Sequence, residues 1–341
     1  MSPLGEMTLA RLREFYREPA AVFWTFGFPA LLALALGVAF REGATRPAAV
    51  VVTPGPRQAE RVDVLSRDPR FAVSAAGEGE AAAAFREGRA VLEVGGGEAI
   101  RFRYDPIHPD AEVARMRAEA AIQQAAGRAD PLAVETDPVT ARGARYIEFL
   151  VPGLIGMNIM SSSMWGIGWV MVEARKRKLL KRLVATPMRR GDYFLSFVIA
   201  RLVFLATEVA VIVLFGRLVF DVEVQGSLPA LALVSLAGAM AFAGLGLVTA
   251  SRTSSTETVS GLMNLAMLPM FVLSGVFFST VHFPDWMQPV IHVLPLTVLN
   301  DALRAIVNQG AGPIEVAAPF LALAAWTVAT FAVALRVFKW T

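Results

Sequence analysis

The sequence predicts a polytopic α-helical membrane protein with six transmembrane helices and a small α/β extracytoplasmic domain inserted between helices 1 and 2. Three observations carry that prediction. Apolar residues fill 55% of the 341 positions and charged residues only 18%, with a mean hydropathy of +0.52, too oily a balance for a soluble enzyme. Six apolar runs are each long enough to cross ~30 Å of hydrocarbon. Between the first two of them the composition changes abruptly: Arg41 to Tyr146 holds 15 Arg, no Lys and 16 Asp or Glu.

Taken in order, Leu4 to Arg17 sets Met7, Leu9, Leu12, Phe15 and Tyr16 among Arg11, Arg13, Glu14 and Arg17, the pattern of an amphipathic helix lying at the membrane surface within residues 1–19. Glu18-Pro19 breaks it. Residues 20–40 carry no charge and form the first span, with Pro29 as a point for a kink. A signal peptide has a shorter apolar region and a small-residue cleavage site, so this span is expected to stay in place.

Residues 41–146 read as a domain with a modest core of its own. Ala48–Thr53, Ala90–Val94, Ile100–Tyr104 and the shorter Phe71–Ser74 have strand patterns. Helices fit Arg57–Ser66, Glu78–Arg86 and Asp110–Ala126, and Gly95 to Gly97 reads as a hairpin turn. Residues 147–341 then supply five more spans, at Ile147–Val172, Tyr193–Val219, Leu228–Ala250, Val259–Ser279 and Val316–Leu335. Residues 281–312, with Trp286 and an amphipathic Leu296–Val307, read as re-entrant or interfacial helices rather than a seventh span. With six spans the short segments on one side carry 14 basic residues and those on the other carry 2, which places both termini in the cytoplasm. The same bias accounts for the net charge of +3 without a nucleic-acid partner.

The basic stretch 173–190 lies between the second and third spans. Eight of its residues are Lys or Arg, and Leu179, Leu180, Leu183 and Val184 form one apolar face before Pro187 stops the helix. This run, Glu173 then Leu180-Lys181-Arg182-Leu183-Val184-Ala185-Thr186-Pro187, resembles the coupling-helix signature of ABC-2 family exporter permeases. Ser274-Gly275-Val276-Phe277-Phe278, Phe283-Pro284-Asp285-Trp286, Leu294-Pro295 and Asp301-Ala302-Leu303-Arg304 resemble that family's outer re-entrant segment. The resemblance covers nearly the whole chain. Lys178, where the family often has glycine, and Glu18, where aspartate is commoner, depart from the pattern.

The resemblance implies a permease subunit of an ATP-driven exporter that docks on a separate ATPase, with Glu173, Lys178, Leu180, Arg182, Leu183, Thr186 and Pro187 at the contact. It also implies two ATPase copies and a second permease copy, the same chain or a paralogue, in a bacterial or archaeal inner membrane. The residues independently exclude an ATP site of the Walker type here, because the four lysines, 176, 178, 181 and 339, are none of them preceded by glycine. No cofactor is therefore expected on this chain, and ATP and Mg²⁺ belong to the partner. From residue types alone, a solvated basic loop that only sets topology fits the stretch as well.

A substrate path is sought in two methionine stripes. Met157, Met160, Met164 and Met171 share a helical face beside Asn158 and Ser161 to Ser163, and Met263, Met267 and Met270 repeat the pattern with Asn264. Flexible thioethers suit an amphipathic substrate such as a drug, lipid or natural product, and in the family these two spans are thought to line the pathway; simple helix packing explains the same pattern. Arg201 and Glu208 share one face of the third span. Arg201 is expected to snorkel to the surface, and Glu208 to partner a buried polar group or line the path. Serine catalysis lacks a histidine placed to activate it, since His108, His282 and His292 fall in outer segments, and no metal-ligand spacing occurs. Two classes remain: an efflux permease, or a non-transporting scaffold or sensor with a ligand-binding outer domain.

Overall fold

The computed structural model describes residues 3–40, 47–106, 109–128, 145–176, 190–253 and 255–337. The chain divides into two compact units, residues 42–139 and the remainder from 1–41 and 140–341.

The smaller unit is built on the run Val50-Val51-Val52, buried on both faces. A strand that alternates sides must then be covered on both. Strand β1 (Ala48–Val52) lies in the middle, parallel to β2 (Phe71–Ala75) and to β3 (Leu92–Val94), and β4 (Phe102–Tyr104) closes the sheet antiparallel to β3. The order is β2-β1-β3-β4. On one face Val50, Val52, Leu92 and Val94 meet Leu65 of α3 (Gln58–Ser66) and Ala114, Ala118 and Ile122 of α5 (Pro109–Ala125). On the other, Val51 meets Ala81 and Ala84 of α4 (Glu78–Arg86), whose small residues bring helix and sheet close. The β3–β4 hairpin folds back over the end of β1, and a Cβ at Gly96 would stand 2.1 Å from the Thr53 carbonyl oxygen, so no larger residue fits there.

In the larger unit α1 (Pro3–Tyr16) precedes six helices long and apolar enough to cross a bilayer: α2 (Pro19–Ala39), α6 (Tyr146–Lys176), α7 (Arg190–Phe220), α8 (Leu228–Ala250), α9 (Thr256–Leu273) and α12 (Ala317–Val337). Two of them form the centre. The apolar windows of α6 and α8 are 78% and 61% buried, against 17% to 28% for the other four, which leave many Leu and Val exposed. Glycine makes the central contact possible. A Cβ on Gly246 of α8 would stand 2.7 Å from the Met164 carbonyl of α6, and one on Gly168 would stand 2.8 Å from that of Gly246. The two backbones touch, as small residues allow in a membrane. Gly244 plays the same part against Thr330 of α12.

Between α9 and α12 lie α10 (Gln288–Val293) and α11 (Pro295–Gln309); the segment Asp285–Val293 and α11 are bent by 82° at Leu294. So sharp a break makes two short pieces, a geometry shared by a re-entrant loop and a broken span. The expected fifth span, Val259–Ser279, is corrected: α9 starts at Thr256, capped by the Ser255 side chain, and ends at Leu273. The cause is non-local. Gly275 turns the chain at φ +67°, and Asn300 of α11 donates to the Ser274 carbonyl at 2.9 Å. Helix α6 likewise runs beyond its expected limit at Val172 and continues through Lys176.

Replacing Gly246 with valine is expected to force α6 and α8 apart at a cost of about 1–3 kcal/mol. Thermal unfolding of the detergent-purified protein would show a clear drop, whereas Gly261→Ala in α9, where a Cβ meets nothing within 4 Å, leaves it nearly unchanged.

Candidate functional site

Helix α6 positions most of the polar features that the sequence singled out in the bundle, beginning where Pro152 breaks its hydrogen-bond ladder. Pro152 has no N–H to give to the carbonyl of Glu148, four residues earlier. Asn308 of α11 supplies the missing donor at 3.0 Å. The next carbonyl, of Phe149, accepts from Arg304 Nε at 3.4 Å, and the Arg304 guanidinium lies 3.8 Å above the Phe149 ring. Arg304 also donates to the Gly275 carbonyl and pairs with Asp301 at 3.5 Å. Asn300, Arg304 and Asn308 recur every four residues, so one face of α11 grips α6 and the turn after α9. Gly153 and Gly156 make room: a Cβ at Gly156 would be 2.0 Å from Asn300 Oδ1.

The same device joins α6 to the first span. Pro29 leaves the Thr25 carbonyl without its helical donor, beside a π turn at Phe23–Gly27, and Asn158 Nδ2 donates to it at 3.1 Å. Asn158 is therefore a helix-to-helix anchor, buried among packed groups.

Deeper along α6, a polar cluster bridges to α7. Glu208 is 2% exposed, and its Oε1 accepts from Arg201 at 3.2 Å while Oε2 accepts from Ser162 Oγ at 2.8 Å. Arg201 also donates to Ser162 Oγ at 2.8 Å and Ser163 Oγ at 2.7 Å. Instead of snorkelling outward, Arg201 turns inward, because a carboxylate in a dry interior makes a stronger partner than distant water. Within the cluster each Glu208 oxygen has a donor and Ser162 both accepts and donates, while Arg201 Nε is left buried without a hydrogen-bond partner. The chemistry of the cluster is that of a tether between the two helices that flank the basic stretch.

The methionine stripes lie in the same interior. Met157, Met160 and Met164 of α6 and Met263 and Met267 of α9 are each at most 7% exposed and belong to one apolar core. The Met263 methyl fills the space a side chain at Gly168 would take. In this conformation the stripes pack α6 against α9 rather than line an open path, since thioethers fit the irregular gaps that glycines leave. Asn264 points the other way and is exposed.

Of the coupling residues, Glu173 lies on the last turns of α6, so the basic stretch starts as a continuation of that helix rather than as a separate one. Lys178, Leu180, Arg182, Leu183, Thr186 and Pro187 lie outside the described residues. Two arginines at the ends of α6 were not singled out from sequence. Arg145 donates to the carbonyls of Phe220 and Asp221 at the end of α7, at 3.1 and 3.3 Å. Arg175 does the same for Ala250 and Thr253 at the end of α8, at 3.2 and 2.7 Å. Cations suit the negative ends of helices, and an arginine just outside an apolar run beside a helix end was the available signal.

The profile of a family described as ABC-2 family transporter protein matches residues 109–336, a stretch that includes α6 to α11 and nearly all of α12. Among similar proteins, ABC transporter G family member 20 of Dictyostelium discoideum is 25% identical over 60% of this chain and 29% of its own length. The inner membrane transport permease YadH of Escherichia coli is 25% identical over 48% of this chain and 63% of its own. The linearmycin resistance permease protein LnrN of Bacillus subtilis is 23% identical over 52% of this chain and 46% of its own. In each case less than two thirds of the relative is spanned. With the family's profile covering more than half of the chain, and with six helices among the described residues long and apolar enough to cross a membrane, this protein belongs to the ABC-2 family of transporters.

Proposed function

We propose that this chain is the permease of an ATP-driven exporter, taking an amphipathic substrate out of the cytoplasm with energy from separate ATPase subunits that dock on residues 173–190. The observation that carries the reading is the continuity of α6. Its 31 residues make a rod of roughly 46 Å, longer than the hydrocarbon is thick, so its basic end stands clear of the membrane while its other half is gripped by α11 and α2. A push on that end is delivered to the centre of the bundle. Two ATPases closing on ATP and Mg²⁺ would supply it, with a second copy of this permease, or a paralogue, completing the pathway. The excess of basic residues around 173–190 supports a cytoplasmic position for that end, and with it for both termini.

The Ser162–Arg201–Glu208 tether makes α6 and α7 respond as a pair, since both arms leaving the basic stretch are joined inside the membrane. The Met-packed seam between α6 and α9 is where the path opens when that pair moves. Thioethers can part and repack at small cost, which suits a site for varied apolar molecules. The likeness to the linearmycin resistance permease and to a probable multidrug ABC transporter permease of Escherichia coli, YbhR, supports a drug-like or natural-product substrate.

Three outcomes test this. A Leu180→Asp, Leu183→Asp double variant is expected to lose co-purification with the ATPase and at least tenfold of coupled ATP turnover in lipid; unchanged association would leave the basic stretch a topology signal only. Glu208→Ala strands Arg201 and is expected to destabilise by on the order of 3 kcal/mol, while an Arg201→Met, Glu208→Met pair recovers most of the melting temperature but slows transport. Met160→Trp and Met267→Trp each block the seam and are expected to abolish export with ATPase binding intact; export unchanged in both would rule the seam out.

A further inference from the structure

Where α8 ends and α9 begins, at the same end of the bundle as Arg175 and Lys176, the larger unit holds a cavity of about 500 Å³ that serves neither the packing nor the tether described above. It is open-sided, and its lining combines apolar Val248, Leu262 and Val337 from three different spans with polar Arg252, Thr249, Thr253, Ser255 and Thr258. That pairing of apolar side chains with an arginine and hydroxyls matches the two chemistries of a phospholipid, acyl carbon and phosphate headgroup. We infer that this cavity binds the headgroup of an anionic phospholipid, its phosphodiester on Arg252 and the neighbouring hydroxyls, its first acyl carbons against Leu262 and Val337.

Two features make the cavity fit an anion. Arg252 is exposed and, among the described residues, forms no ion pair. Its guanidinium fork matches a phosphate bidentately. The negative end of α8, which would repel a phosphate, is neutralised by Arg175 on the Ala250 and Thr253 carbonyls. Glu257, the near acid, accepts from the Ser255 hydroxyl at 2.6 Å and the Thr256 hydroxyl at 3.0 Å; those bonds fix its carboxylate without cancelling its charge, so Arg252 has to outweigh it. A basic pocket between spans at the headgroup level is the setting in which anionic lipids are recognised. The lining comes from three helices, so a bound lipid would bridge the ends of α8, α9 and α12.

The test uses the full chain in nanodiscs of equal phosphatidylglycerol and phosphatidylcholine, with the lipids retained after release into detergent counted by native mass spectrometry. Wild type is expected to retain phosphatidylglycerol with about a tenfold preference, the worth of one charge-assisted contact. Arg252→Gln is expected to lower that preference roughly fivefold or more, and so is Leu262→Trp, which fills the cavity and leaves the charge in place. Matched elution and melting profiles establish that both variants fold, and Thr258→Val provides a milder third probe. No preference in wild type, or a preference that survives Arg252→Gln, would overturn the inference. A loss in Arg252→Gln without a loss in Leu262→Trp would also overturn it, by showing only attraction to surface charge. Displacement of the lipid by inorganic phosphate at low concentration would identify a site for the free anion instead.

Discussion

A carbonyl that loses its helical donor inside a membrane has no water to turn to, and this bundle is organised around two such carbonyls. Pro29 frees Thr25 in α2 and Pro152 frees Glu148 in α6, and an asparagine from another helix answers each. The two bonds make α6 a hub, receiving from α11 near one end and donating to α2 further along. The prolines therefore create the bonding sites as well as the breaks, and the asparagines are fixed by a need that only a distant part of the chain can meet. Gly153 and Gly156 of α6 follow from the same requirement, because Arg304 and Asn300 come close to the α6 backbone only where no side chain intervenes.

This arrangement divides α6 into a held half and a projecting half. The held half is bound by directional contacts to α2 and α11, the projecting half by glycine-mediated contact with α8 and by the charged tether to α7. Hydrogen-bonded and close-packed contacts do not deform continuously; they hold or they are exchanged for others. A motion of α6 therefore takes α2, α7 and α11 with it or breaks a countable set of bonds. That is a suitable mechanical basis for a subunit that moves between discrete states.

Much of this was legible in the sequence, and the rest failed for physical reasons that can be named. Hydropathy located the spans because the length of a crossing is set by the bilayer. The strand run at Val50 to Val52 was readable because continuous burial leaves no alternation. Contacts between distant segments left no such trace. Nothing local tells that Arg201 meets Ser162 and Ser163, although the two groups stand in adjacent spans; the seven-residue spacing to Glu208 was visible and its partner helix was not. The end of α9 was misplaced because Ser274 is held by a residue 26 positions away, and hydropathy is blind to that. The methionine stripes were seen correctly as helical faces, but periodicity does not say whether a face looks at a substrate or at a neighbouring helix.

The π turn at Phe23–Gly27 has a consequence for register. Widening one turn of a helix by a residue advances everything before it by about 100° relative to everything after. The surface helix α1, joined to α2 at Glu18-Pro19, is thus aimed by that single extra residue, and its Arg11 reaches Ser196 of α7 at 3.1 Å. The angular setting of α1 against the bundle is encoded several residues away from it, inside α2.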